Sequence, residues 1–280
     1  MSHRRMTVGP RLRWGRRPEL HSHTAIQLYE QLHRDGYPDD ALSEVARGLQ
    51  LAVRLFGCRY QYTNVPFMVH VIGTASVLSM LRAPTDLVVA GLIHNAYGNG
   101  DFGDARGGAA EWKRRRVRDV VGPEVEAHVF EFWKSLRWTS ERIDEIARDV
   151  GALDAQTRVV ALIRLADLVE HYRDLGAVYG GRRATAEEFI TRQGDAWVRL
   201  ASALGGPSLA GELRRLFAET RSAEVPEELC DLTGRAGSFA RIPRSQTLRL
   251  PVKLRRTAAR LRDGVSRRLV RPRDRASGRG

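Results

Sequence analysis

His70, His94, Asn95 and Asp167 are the residues of this chain whose types could hold a divalent cation. Two imidazoles, an amide oxygen and a carboxylate suit metals such as Mn²⁺ or Fe²⁺ and leave coordination positions for water and a substrate oxygen. Each residue also has an ordinary explanation. A histidine such as His94 is commonly a hydrogen-bonded core residue, His70 could face solvent, and Arg164 and Asp167 have the i,i+3 spacing of an ion pair. Order and spacing single them out: His70, His94-Asn95 twenty-four residues later, then Asp167.

Such groups need rigid elements to position them. Leu87–Ile93 is apolar throughout and runs directly into His94-Asn95, while Val159–Val169 is interrupted only by Arg164 and Asp167. Helices apolar on every side are central ones. Polar groups on them must be paired, bind a metal or border a cavity. Elsewhere the apolar residues recur with helical spacing, which predicts helices at 22–34, 39–56, 66–82, 86–96, 110–120, 123–137, 140–149, 155–176, 185–204 and 207–221. Gly36 and Gly57 stop two of them, and Pro66 and Pro123 open others. Gly98–Gly108 reads as the longest loop. No strand-like alternation of any length appears, so the body, residues 18–223, is expected to be an all-α single domain.

Four segments resemble the HD metal-dependent phosphohydrolase superfamily, and in spacing the hydrolase domain of the (p)ppGpp synthetase/hydrolases. Pro66-Phe-Met-Val-His70 is similar to that family's Pro-Tyr-Ile-x-His, and Ala90-Gly-Leu-Ile-His94-Asn95 to its Ala-Leu-Leu-His-Asp. Val121-Gly-Pro-Glu-Val125 echoes Phe-Gly-x-Glu-Val, and Arg164-Leu-Ala-Asp167-Leu-Val-Glu-His171-Tyr-Arg173 echoes Lys-Leu-Ala-Asp-Arg-Leu-His-Asn-Met-Arg. The resemblance covers roughly residues 40–176. It implies an HD-like helical bundle, metal held by His70, His94, Asp167 and the weaker donor Asn95, and help from Arg164 or His171.

The departures bear on the substrate. Asn95 stands where the family carries an Asp ligand, so one negative charge is missing and divalent-metal binding is expected to weaken. The family's acidic pair falls on Gly98 and Asn99, leaving Asp101 or Asp104 to handle protons by another geometry. Its nucleotide-binding basic pair falls on Gln61 and Tyr62. Alarmone hydrolysis is therefore not expected. The stretch His94–Gly103 also looks like an uncharacterised HD-like family with His-Ser or His-Asn followed by Tyr-Gly. On this reading Tyr97 sits at the mouth of the site and, with Asn99 and Arg173, contacts the substrate.

Charge is concentrated at the ends. The net charge is +13; residues 1–17 hold six Arg and no acid, and 235–280 hold fifteen basic residues against Asp263 and Asp274. That leaves a mildly acidic body, which argues against a uniformly basic nucleic-acid binder. Leu254, Ala258, Leu261, Val265 and Leu269 form a helical stripe among arginines, which would give the tail weak affinity for polyanions or an anionic membrane while leaving it disordered in isolation. The cluster Lys113–Arg118 reads as a solvated helix face balanced by Glu111, Asp119 and Glu124. No run is long enough to span a bilayer, no secretory signal is present, and Cys58 and Cys230 read as reduced thiols, so a cytoplasmic protein is expected. Two functional readings stand: a diverged metal-dependent phosphohydrolase acting on a small phosphorylated metabolite or nucleotide, and a non-catalytic HD-like ligand-binding or interaction module.

Overall fold

The computed structural model describes residues 21–104, 106–230 and 237–241. The basic segment 1–17 and nearly all of 235–280, including the Leu254–Leu269 stripe, lie outside the described residues. The chain divides into a unit ending at Phe239 and a second beginning at Ala240, and the described helices all belong to the first.

The fold is all-α. Its helices are α1 (Ala25–Arg34), α2 (Asp39–Phe56), α3 (Phe67–Met80), α4 (Thr85–Ile93), α5 (Ala96–Asn99), α6 (Glu111–Val121) and α7 (Pro123–Ser135), followed by α8 (Ser140–Arg148), α9 (Ala155–Tyr172), α10 (Gly176–Tyr179), α11 (Arg183–Gly205) and α12 (Pro207–Ser222). Two two-residue strands, Arg59–Tyr60 and Phe239–Ala240, are the extended segments among the described residues. Most boundaries lie within a few residues of those read from the sequence. Two differ. The expected helix 155–176 ends at Tyr172, where Asp174 and Leu175 take left-handed backbone, and Gly98 and Asn99 belong to α5, so the loop begins at Gly100.

The centre of the bundle is α3, α4 and α9, as their apolar composition requires. All seven residues Leu87–Ile93 are buried, and α3 buries every residue from His70 to Met80. Helix α4 packs on α2, α3 and α7, and α3 packs on α9. Gly91 allows the α3–α4 approach: a Cβ there would overlap Leu78 and press on the backbone of Ala75. Gly costs about 1 kcal/mol relative to Ala in a helix interior, here offset by the closer packing of two central helices.

The basic cluster of α6 is more deeply paired than a solvated face. Lys113 is buried, bonded to the Arg106 carbonyl and, at 2.9 Å, to Asp104. Arg114 donates twice to Glu126 (2.7 and 2.9 Å) and lies on the Phe130 ring, 3.7 Å from its centroid. Arg118 reaches Glu111 at 2.7 Å. Of the expected counter-ions Glu111 therefore serves, whereas Asp104 and Glu126 take the part expected of Asp119 and Glu124.

Glu126 is only 2% exposed. Burial pushes its carboxyl up, but hydrogen bonds from Arg114 and Tyr97 outweigh that and hold it below the ordinary carboxylate range. A depressed pKa contributes stability above the unfolded-state pKa and loses it as pH falls. Glu126→Gln is expected to cost about 3 kcal/mol at pH 7, the low end for breaking a buried pair because Arg114 stays partly solvated. In urea melts the gap from the parent should shrink below about pH 4.5, where the parent's own carboxyl takes up its proton.

Candidate metal centre

His70 lies one turn into α3, His94 follows the last residue of α4, and Asp167 lies in the second half of α9. Three separate segments of sequence thus deliver their polar atoms to one point. His70 Nε2 is 3.2 Å and His94 Nε2 3.4 Å from the same oxygen, Asp167 Oδ1. Both histidines are buried; Asp167 keeps 22% of its side-chain surface exposed. The imidazoles meet edge-to-face with centroids 5.2 Å apart. His70 therefore does not face solvent, and Asp167 is committed to the histidines, without the i,i+3 ion pair that would have explained it and Arg164 together.

The donor set fits a cation. Ligand atoms about 2.0–2.2 Å from a shared ion stand about 3.0–3.6 Å apart at octahedral to tetrahedral angles, and the two histidine–aspartate separations fall in that range. Nδ1 of His94 lies 2.7 Å from the Gly91 carbonyl. With Nδ1 engaged by that carbonyl, Nε2 is the nitrogen left to face the centre. Burial alone would raise the Asp167 carboxyl, and His70 and His94 in their protonated form, through hydrogen bonds to it and their charge, hold it well below the usual range.

Asn95 is turned the other way from expectation. Its Nδ2, not its oxygen, faces the centre, 2.6 Å from His94 Nε2 and 3.4 Å from His70 Nε2. A chain of donors fixes that orientation. Arg59, which can only donate, bonds Ser238 Oγ (3.0 Å); Ser238 donates to Asn99 Oδ1 (2.6 Å); Asn99 Nδ2 donates to Asn95 Oδ1 (3.2 Å). Asn95 in this state is a hydrogen-bond donor to the histidines and not a ligand. Asn99 serves as a link in the same relay.

The other expected site residues divide. Arg164, one turn before Asp167, is largely buried between the rings of Phe132 and Trp197 (5.9 and 5.5 Å), and its Nε has no hydrogen-bond partner among the described residues. Phe132 also packs edge-on against His94, at 4.8 Å, so the guanidinium and the metal ligands share a wall. His171 Nε2 is 3.0 Å from the Tyr62 hydroxyl. Burial lowers its pKa, and its interactions with Asp167 and His70 put it within electrostatic reach of the centre as a neutral imidazole.

Tyr97 is not at the mouth. It is fully buried, donating to Glu126 at 2.7 Å, because its apolar ring is better accommodated beside Phe102 and Phe130. Asp101 is exposed and accepts from the Gly103 N–H. Arg173 follows the end of α9, 3.8 Å from Glu212, with Nε and one terminal nitrogen buried and unbonded.

A second group of potential ligands, His21, His23 and Glu170, stands outside the expected set. Its signal is present in the sequence: a His-x-His pair, and a carboxylate three residues after Asp167 on the same helix.

Residues 57–137 match a family model described as a domain of unknown function (DUF6817). The matched stretch holds His70, His94, Asn95 and the α5 segment, and stops short of Asp167. No curated protein matches the chain.

Asn95→Asp would replace the inward-facing donor with a second carboxylate. Opposite charges about 4 Å apart are worth about 4 kcal/mol at an effective dielectric near 20, part of it lost to desolvation. Calorimetric titration with Mn²⁺ should show affinity raised roughly tenfold or more; unchanged affinity would mean that position 95 does not meet the ion.

Proposed function

We propose that the chain is a diverged HD-like metal-dependent phosphohydrolase acting on a small phosphorylated metabolite or nucleotide. The observation that carries this reading is the meeting of His70 Nε2, His94 Nε2 and Asp167 Oδ1 at one partly open point. A divalent cation such as Mn²⁺ or Fe²⁺ would supply there a water of lowered pKa and offset to phosphate charge. Asp167 contributes the negative charge of the ligand set. His70 and His94 contribute neutral donors on central helices, held to their positions by packing.

Arg164 places a fixed positive charge one helical turn from Asp167, in a low-dielectric wall where it can hold a phosphate oxygen. His171, a neutral imidazole whose Nε2 is held by the Tyr62 hydroxyl, lies within electrostatic reach of the centre and would help to position the substrate there. The missing acidic pair at Gly98 and Asn99, and Tyr62 in place of a basic residue, separate the site from alarmone hydrolysis.

A second reading, the non-catalytic HD-like binding module, is favoured by one observation. Asn95 already donates to both histidines and so satisfies their lone pairs without an ion. Elemental analysis followed by a phosphoester panel with Mn²⁺, Fe²⁺ and Mg²⁺ separates the two. The enzyme reading expects turnover that His94→Ala abolishes and that Arg164→Met lowers about 10- to 100-fold. Metal-free protein inert under every condition would sink it and leave the module.

A further inference from the structure

One helical turn along α9 from the first site, a second set of ligand atoms converges. His21, His23 and Glu170 each present one ligand atom, all within 4.8 Å of one another, and the first site is built to the same tolerance from its own three residues. His21 Nε2 is in direct contact with Glu170 Oε2, and the two imidazoles meet edge-to-face at 4.8 Å.

The arrangement is supported from three sides. The first support is the local chain. Residues 21 and 23 flank Ser22, and alternate side chains of an extended segment share a face. Ser22 points the opposite way into a buried network, its N–H donating to Ser76 Oγ (2.9 Å) and its hydroxyl to Gln31 Oε1 (2.7 Å), while Gln31 Nε2 donates to the Ser76 carbonyl (2.9 Å). The capping box of α1, Thr24 with Gln27, fixes the chain just beyond. Both histidines are therefore anchored through backbone that α1 and α3 hold.

The second support is the floor. A Cβ on Gly73 would overlap both carboxylate oxygens of Glu170. Gly73 follows His70 by three residues on α3, just as Glu170 follows Asp167 by three on α9. The helix pair that forms the first site thus repeats the pairing one turn further on, with a glycine where a histidine stood. The offset is roughly 4.5 Å along the helix axis.

The third support is the unmet demand of the side chains. His21 Nδ1 is buried without a hydrogen-bond partner among the described residues. Asp174 and Glu212 add negative potential nearby and Arg173 opposes them.

We propose that His21, His23 and Glu170 form a second divalent-cation site, distinct from the His70–His94–Asp167 set. Two imidazoles and one carboxylate suit a borderline metal such as Zn²⁺, Mn²⁺ or Fe²⁺ over Mg²⁺ or Ca²⁺, which favour all-oxygen cages. Three protein donors leave at least one position for water or a ligand oxygen. The proposal does not rest on phosphohydrolase activity.

The test is stoichiometry. The full-length chain is stripped with a chelator, loaded with Zn²⁺, freed of excess metal and analysed for bound zinc, with thermal melts of each metal-free variant confirming that it folds. The parent is expected to hold two equivalents, and the double variant His21→Ala/His23→Ala one. Glu170→Gln, which keeps the shape of the side chain, should weaken the second equivalent roughly a hundredfold in calorimetry. His94→Ala reads the first site separately. Loss of an equivalent in His21→Ala/His23→Ala but none in His94→Ala would support the second site while sinking the first. A parent holding no zinc, or a double variant holding as much as the parent, would overturn the proposal.

Discussion

Lone pairs facing one another in a core are tolerable only if something positive lies between them, and this constraint organises the centre of the protein. His70 Nε2, His94 Nε2 and Asp167 Oδ1 converge among apolar helices where water cannot spread the charge. A proton, an amide N–H or a metal ion can each meet the demand, and the structure already shows the second solution in Asn95. The surrounding design serves to keep the three atoms from drifting apart. Helix α4 is apolar so that it can stay central, Gly91 brings it close to α3, and the Gly91 carbonyl holds the His94 ring through Nδ1.

Helix α9 carries the unusual burden. Arg164, Asp167 and Glu170 recur every third residue on a helix otherwise buried and apolar, and His171 and Arg173 follow at its end. A run of charges at that spacing marks one face. Each member has found different company: aromatic rings around Arg164, imidazoles around Asp167 and His21 beside Glu170. None of them forms the simple i,i+3 ion pair with a helical neighbour that the spacing alone would permit. The face is used to reach other helices, and the consequence is a row of partly satisfied groups along the α3–α9 contact.

How much of this is legible in the sequence depends on the kind of signal. Helices announce themselves through apolar spacing and Pro/Gly stops, so α2 ends before Gly57 as expected, although its cap is Pro38 and the expected caps Asp39 and Asp40 lie in its first turn. The first ligand set is legible because all-apolar runs ending in His94 or enclosing Asp167 are conspicuous. Asn95 is legible as a position but not as an orientation, because its amide is set by Arg59 and Ser238, and Ser238 lies far away in sequence. Tyr97 is misplaced by sequence reasoning for a related reason: its neighbours in Tyr-Gly-Asn suggest a loop, whereas Glu126, on α7, gives the hydroxyl a buried partner. His21 and His23 are masked because the apolar spacing suggests a helix from residue 22, and the helix in fact begins at Ala25.

The relay through Asn95 ties the affinity of the first site to residues that never touch an ion. For Asn95 to offer oxygen, its amide must rotate, which breaks the bond from Asn99 and sets two amide nitrogens against each other unless Asn99 rotates too. Rotation of Asn99 in turn faces its nitrogen to Ser238, whose hydroxyl must then accept from it as well as from Arg59. Each step is a modest loss, since a neutral hydrogen bond contributes about 1 kcal/mol. The losses fall in sequence, so the orientation of the whole relay switches together or not at all. An amide N–H and a cation cannot share the same imidazole lone pairs, so a cation enters the centre only if the Asn95 amide leaves them, and the coupled rotation of Asn95 and Asn99 is the step that would free the lone pairs and turn an oxygen toward the ion.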